Sequence, residues 1–249
     1  MSIVPSSVHS GVCLIVNGDD FGRSPGINRG IVECHDAGIL TSASLMTLWP
    51  AAAAAADAAA IRPGLSVGLH VDLGEWLYAD GEWKCTYLRV PLEDERAVRG
   101  EVERQLRAFR RLLGRDPTHL DSHQHVHRRD PLWTILLECG DAFGIPLRHG
   151  SRFVQYRGDF FGQSSTGESH PEALSVEALI GIVESLPVGF TELGCHPGYA
   201  RDLLTAYRRQ RELEVRTLCD PRVQEAVAAS GVRLCSFADL AVEDLRVPA

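Results

Sequence analysis

The stretch Val12-Cys13-Leu14-Ile15-Val16-Asn17-Gly18-Asp19-Asp20-Phe21-Gly22-Arg23-Ser24-Pro25 changes character twice. Val12 to Val16 is a short continuous apolar run, as expected for a strand covered on both faces. Polar Asn17-Gly18-Asp19-Asp20 follows and reads as a loop. Ser24 then reads as an N-cap, with Pro25 at the first helical position, where a missing N–H costs nothing. Ile27, Ile31 and Cys34 fall at i, i+4 and i+7, one helical face, and Gly38 supplies a stop. A strand, a polar connection and a helix in this order form the repeating unit of a parallel α/β fold.

Outward from this stretch the unit recurs. Ser42 to Thr47 precedes an alanine-rich helix near 51–60, and Leu65 to His70 reads as another strand. A charged helix near 93–113 carries Val102, Leu106, Phe109 and Leu113 on one side. Thr118 to Asp121 is the next short strand, and Asp130-Pro131 reads as the cap of a helix running to Gly144. Pro146 to Arg148 opens a further unit. Residues 149–172, rich in Gly and Ser, read as a long loop that could serve as a lid. Val176, Leu179, Ile180 and Val183 mark a helix, while Thr191 to Cys195 and Val232 to Ser236 read as strands. Alternating strands and helices predict a parallel sheet covered by helices. No composition break divides the chain, so 1–249 is read as a single domain.

The chain has 249 residues, the size of a β/α barrel run as one domain. It carries 25 basic and 33 acidic side chains, a formal charge of −8, which argues against a nucleic-acid partner. Met1 to Gly11 lacks the basic and apolar segments of a signal peptide, and no stretch reaches the roughly 18 apolar residues of a membrane span. A cytoplasmic location and no membrane span are therefore expected. Seven cysteines without C-x-x-C spacing disfavour disulfides and thiolate zinc, and most read as small buried hydrophobes. The basic run Arg208-Arg209-Gln210-Arg211 reads as a solvated helix face.

In parallel α/β folds, ligands bind beyond the carboxyl ends of the strands. Asp19 and Asp20 follow the first strand, His70 ends the third, and His119, Asp121, His123, His125 and His127 cluster at the fourth. His196 follows Cys195 at the sixth. Carboxylates and imidazoles in this mixture suit zinc and related divalent ions. One of the paired aspartates can ligate an ion while the other takes a proton from water. The histidines at 119, 123, 125 and 127 share one parity with Asp121, so an extended chain would put them on one side. His9, His35, His149 and His170 lack such company and read as solvated or structural.

These segments resemble the YdjC-like carbohydrate deacetylases, a family that includes chitooligosaccharide and hopanoid-associated members. The resemblance rests on Leu14 to Asn28, on Ile39 to Met46 and on Val67-Gly68-Leu69-His70. It continues through Thr118-His119-Leu120-Asp121-Ser122-His123-Gln124-His125-Val126-His127 and Glu192-Leu193-Gly194-Cys195-His196-Pro197-Gly198-Tyr199, and extends to Arg211-Glu212-Leu213-Glu214. It implies a distorted (β/α) barrel and metal-dependent removal of acetyl groups from N-acetylated amino sugars. By position, Asp20, His70 and His123 match the family's metal ligands, Asp19 its general base and His196 a histidine that protonates the leaving amine. His125, His127, Gln124, Arg148, Trp49 and Trp76 are expected near the substrate or behind the ligands. The resemblance implies one divalent ion, zinc first and magnesium second, a small-molecule or oligosaccharide substrate, and allows a homodimer. One departure stands out: the family usually has three consecutive histidines where this chain has His123-Gln124-His125. Two other readings stay open, a phosphoesterase using the same ligands and a non-catalytic sugar-binding protein.

Overall fold

A computed structural model of the protein describes residues 11–203, 205 and 207–240. The reading of the N-terminal segment up to residue 10, His9 included, lies outside the described residues. Strand β1 (Val12–Phe21) leads into helix α1 (Pro25–Ala37), then β2 (Ser42–Leu45), α2 (Ala52–Ala60) and β3 (Ser66–Val71). A hairpin of β4 (Gly74–Ala79) and β5 (Glu82–Leu88) precedes α3 (Glu95–Leu113), β6 (Leu120–Ser122) and α4 (Leu132–Phe143). The chain continues through β7 (Val154–Arg157), α5 (Val176–Glu184), β8 (Gly189–Cys195), α6 (Arg208–Leu218), α7 (Pro221–Ala229) and β9 (Arg233–Cys235).

The main sheet has the order β6-β3-β2-β1-β8-β7, and its pairings are parallel. β9 pairs with Cys13–Ile15 of β1, below the part that pairs with β2. Beyond β6, Leu120 bridges Leu147 in parallel, so segment 146–148 curls the sheet toward β7. The result is the expected distorted β/α barrel.

Side-chain alternation along β1 divides the core. Leu14 and Val16 face outward into the main core with Ile27, Ile31 and Cys34 of α1. Cys13 and Ile15 face the interior with Val154, Phe190, Cys235 and Phe237. Ser24 caps α1 as expected, its hydroxyl accepting from the Ile27 amide, with Pro25 in the first turn. Helix α2 is almost wholly alanine, and Ala52, Ala55, Ala56 and Ala59 are its buried side.

Several readings are corrected. Asn17 to Asp20 is not a loop: β1 runs on to Phe21, because every residue from Cys13 to Arg23 is buried and pairing with β2 resumes at Phe21. The 149–172 segment contains strand β7, whose Val154, Gln155, Tyr156 and Arg157 pair with β8. The hairpin at 74–88 is not among the expected elements; its apolar residues are mixed with charged ones, half-buried along β4 and mostly exposed along β5. Asp130 does not cap α4, which starts from Pro131 without a side-chain cap. Residues 123–128 are not extended but wind as a tight turn, with Gln124 and His125 both at φ 52. The shared parity therefore does not put those histidines on one side.

Candidate metal centre

The two aspartates arrive through an irregularity in β1. Against β2, Gly18 pairs with Ala43 and Phe21 with Leu45, so β1 holds one extra residue there. Such a bulge turns a side chain that regular alternation would send the other way. Asp20, at φ 70, absorbs the turn, and both carboxylates end up buried at the carboxyl end of the barrel. They meet different partners.

Asp20 meets imidazoles. Its Oδ1 lies 3.1 Å from His123 Nδ1 and 3.5 Å from His70 Nε2. Neither nitrogen is aligned to hydrogen-bond it, and this buried oxygen has no hydrogen-bond partner. His70 projects from β3, and its Nδ1 pairs with Asp121 Oδ1 at 2.7 Å, which leaves Nε2 turned toward Asp20. A carboxylate behind an imidazole fixes the ring and its tautomer for metal ligation. Asp20, His70 and His123 can offer ligand atoms within 4.8 Å of one another. In a tetrahedral zinc site with bonds of 2.0–2.1 Å, ligand atoms stand about 3.3 Å apart. The donor set, its spacing and the orphaned oxygen all fit a divalent ion. So does the electrostatics. Burial opposes a charge on His70, but Asp121, Asp19 and the hydrogen bond to Asp121 outweigh it and raise the imidazole to about 10. The same anionic field attracts a cation in place of the proton.

Asp19 meets a guanidinium. Arg148 donates to both its oxygens, at 2.7 and 2.8 Å, and also reaches Asp121 Oδ2 at 2.8 Å and Glu192 Oε1 at 2.6 Å. One buried arginine thus gathers carboxylates from β1, β6 and β8. Burial would raise the Asp19 carboxyl, but Arg148 holds it below its ordinary value. Glu192 is pushed by burial up to about 7 against the pull of Arg148. His196 Nε2 stands 3.8 Å from Asp19 Oδ2, and burial pushes its imidazole down to about 4. Phe161, from the long 149–172 segment, packs edge-on against His196 with centroids 5.4 Å apart.

The expected surrounding residues divide. His127 is buried and satisfied, between Ser122 Oγ at 2.6 Å and the Arg148 carbonyl at 3.0 Å, so it shapes the turn. His125 packs on Tyr156, and burial pushes it down to about 2. His119 is structural: it stacks on Phe237 and meets Ser44 Oγ at 3.0 Å. Trp49 donates from Nε1 to Asp72 at 2.8 Å, while Trp76 lies on the hairpin beside Gln124. His149 is not isolated, because its ring meets Tyr156 at 4.6 Å and His125 at 5.3 Å. The Cys195 thiol is buried, donates to the Asn17 carbonyl and is pushed well above its ordinary pKa, so it is no nucleophile.

Sequence reasoning missed three groups. Arg211 was read as solvated, yet it is buried and its guanidinium pairs with Asp20 Oδ2. The signal was available: Arg211, Glu214, Val215 and Leu218 repeat at helical spacing, and all are buried in α6. Burial works against ionisation of Asp20, but Arg211 and His123 hold its carboxyl well below the ordinary value. Arg23 and Glu75 were also missed. Arg23 donates to both Glu75 oxygens, at 2.7 and 2.8 Å, and lies 3.5 Å from His123 Nε2.

The comparisons with known proteins agree with this architecture. The family model described as YdjC-like protein matches residues 13–229. A chitooligosaccharide deacetylase from Serratia marcescens is 32% identical over 257 residues, covering 91% of this chain and 98% of that protein. A carbohydrate deacetylase from Geobacillus stearothermophilus is 32% identical over 250 residues, covering 90% and 96%. Among solved structures, a protein of Enterococcus faecalis V583, named for a suspected cellobiose-phosphate cleavage role, aligns with TM-score 0.77 at 26% identity. That alignment covers 93% of this chain and all of the other, 100%. A family 4 carbohydrate esterase from Streptomyces lividans aligns with TM-score 0.53 at 12% identity over 93% and 95% of the two chains, a likeness of fold alone. With its sequence matched from the first strand to the last helix, this chain belongs to the YdjC-like protein family.

Proposed function

We propose that this protein is a metal-dependent carbohydrate deacetylase, a single domain that hydrolyses the acetamide of an N-acetylated amino sugar. The observation that carries the reading is the division of labour at the end of β1. Asp20 faces two imidazoles with a free oxygen, while Asp19, next in sequence, is held ionised by Arg148. Asp20, His70 and His123 would hold the ion, and two imidazoles with one carboxylate favour zinc over magnesium. When bound, a divalent ion would polarise the acetyl carbonyl and lower the pKa of a water.

The remaining steps belong to the chain's own side chains. Asp19, fixed by two hydrogen bonds, accepts the proton of the attacking water. His196 is uncharged at neutral pH, so it must take up a proton before it can give one to the departing amine. Asp19 at 3.8 Å is the neighbouring source. Phe161 packs edge-on against the His196 ring. Arg23, Arg148 and Arg211 are each paired with carboxylates in the centre.

The test is metal analysis of purified protein combined with acetate release from N-acetylglucosamine and its short oligomers. Asp20→Ala and His123→Ala are expected to lose both metal and turnover. Asp19→Asn should keep the metal and lose most activity, by about 10²-fold or more. Wild-type turnover by Asp19→Asn would remove it as the base. Full activity in metal-free protein would overturn the whole reading.

A further inference from the structure

Glu214 is a fully buried acid of α6 that lies outside the metal ligands and outside the Asp19–His196 pair. Burial pushes its carboxyl up to about 8, so an acid in this place is costly to the fold. Both of its oxygens are nevertheless bound. Oε2 accepts from the His196 amide, and Oε1 accepts from the Tyr207 hydroxyl at 2.7 Å. That hydroxyl in turn accepts from the Gly162 amide at 2.7 Å. One hydroxyl thus ties the long 149–172 segment to α6 and, through Glu214, to the loop after β8.

Helical spacing brings these groups to one place. Tyr207, Arg211 and Glu214 stand at i, i+4 and i+7 and share a face of α6, which starts just after Tyr207. That face meets the loop that carries His196. Arg211 Nη1 donates to the His196 carbonyl at 3.1 Å, and the Gly198 amide donates to the Arg211 carbonyl at 3.2 Å. The backbone of His196 is therefore held at both its amide and its carbonyl. Its ring is held by packing. Phe161 stacks on Tyr207 with centroids 4.6 Å apart, and the two rings meet the imidazole edge-on at 5.4 and 5.8 Å. Nδ1 of that imidazole is buried without a hydrogen-bond partner, and Nε2 stands 3.8 Å from Asp19. The direction of the ring thus depends on its backbone and on these two aromatic neighbours.

We infer that Glu214 and Tyr207 are positioning residues for His196: the Tyr207 hydroxyl aims Glu214 at the His196 amide and draws Phe161 onto the imidazole, which presents Nε2 to the departing amine. The inference rests on the deacetylase reading, and its test separates the two. Tyr207→Phe keeps the stacked ring and removes both hydroxyl bonds. It should speed hydrogen exchange of the His196 and Gly162 amides and lower kcat for acetate release from N-acetylglucosamine oligomers, each about tenfold, with KM and bound zinc unchanged. In a His196→Ala background the same substitution should lower kcat no further, because losses at residues that act through one another do not add. Glu214→Gln can still accept from the His196 amide and should keep more of kcat than Glu214→Leu, which cannot. That contrast decides the matter if Tyr207→Phe fails to fold. A loss that adds to that of His196→Ala, a loss of zinc or unchanged exchange in Tyr207→Phe, or equal kcat in the two Glu214 variants, would overturn the inference. If the wild type releases no acetate, the deacetylase reading fails by itself. Amide exchange then decides the positioning: faster exchange at His196 in Tyr207→Phe and in Glu214→Leu supports it, and no change overturns it.

Discussion

Arg148 shows how much of the centre depends on one side chain. It is buried, and its guanidinium answers Asp19, Asp121 and Glu192 together. Removing one partner of a buried ion pair leaves an uncompensated charge, at a cost of about 3–5 kcal/mol. Arg148→Met is expected to lose at least that much in urea unfolding of the metal-free protein. Glu192→Gln added to Arg148→Met should recover part of the loss, because one of the stranded acids is then gone. Equal midpoints for wild type and Arg148→Met would show that the guanidinium contributes nothing. At this scale the sequence was legible where chemistry is carried by residue type. Residue type and strand-end position gathered the acids and imidazoles, and Asp20, His70 and His123, which the family resemblance singled out among them, stand together. It was opaque for arginines, since a guanidinium reads as solvated until its neighbours are known. Arg211 is the example, and only helical periodicity could have moved it inside.

At the scale of elements, helix α1 is pressed against the loop that carries His196. A Cβ at Gly30 would stand 2.5 Å from the Gly198 Cα and 2.7 Å from its nitrogen. Backbone cannot step aside as a side-chain tip can. Gly30→Ala is expected to cost about 1–3 kcal/mol or more and to lower acetate release by displacing His196. Gly100, in α3, has nothing within 4 Å of such a Cβ. Gly100→Ala should therefore stabilise the protein by about 0.5–1 kcal/mol. Thermal denaturation of both variants measures the contrast, and a stable Gly30→Ala protein would mean that α1 and the loop separate easily. The helices were legible because their caps and apolar periods are local: Ser24-Pro25 and Gly38 mark the ends of α1 correctly. The β4–β5 hairpin and β7 were not. Their strand identity comes from partners elsewhere in the chain, and their own burial pattern is mixed.

Across the whole molecule, the burial of imidazoles sets the response to pH. Burial pushes His119 down to about 3 and His127, His149 and His196 to about 4. The unfolded chain takes up protons at these groups near pH 6.5, while the folded chain does not. Stability therefore falls as pH drops below about 6.5, by up to about 1.4 kcal/mol per unit for each fully buried ring such as His119. Glu192 and Glu214, pushed up by burial to about 7 and about 8, act in the opposite sense, but they are fewer. Above neutrality, the stability that His70 contributes is lost as pH rises through about 10. The metal-free protein should thus be most stable near pH 6.5–7, with urea midpoints falling toward both pH 5 and pH 9. A flat profile between pH 5 and 6.5 would show that the buried imidazoles are already charged. None of this was visible in the histidine count, which says nothing of depth.

The ion pairs at the end of β1 also bear on the order in which the molecule is made. Asp19 lies 129 residues before Arg148, and Asp20 lies 191 before Arg211. Synthesis runs from the N-terminus, so both carboxylates emerge long before either guanidinium. An unpaired carboxylate strongly resists burial. Until α6 arrives, Asp20 lacks the guanidinium that adds to His123 in offsetting its burial. The Asp20–Arg211 pair can therefore form only after α6 has been made.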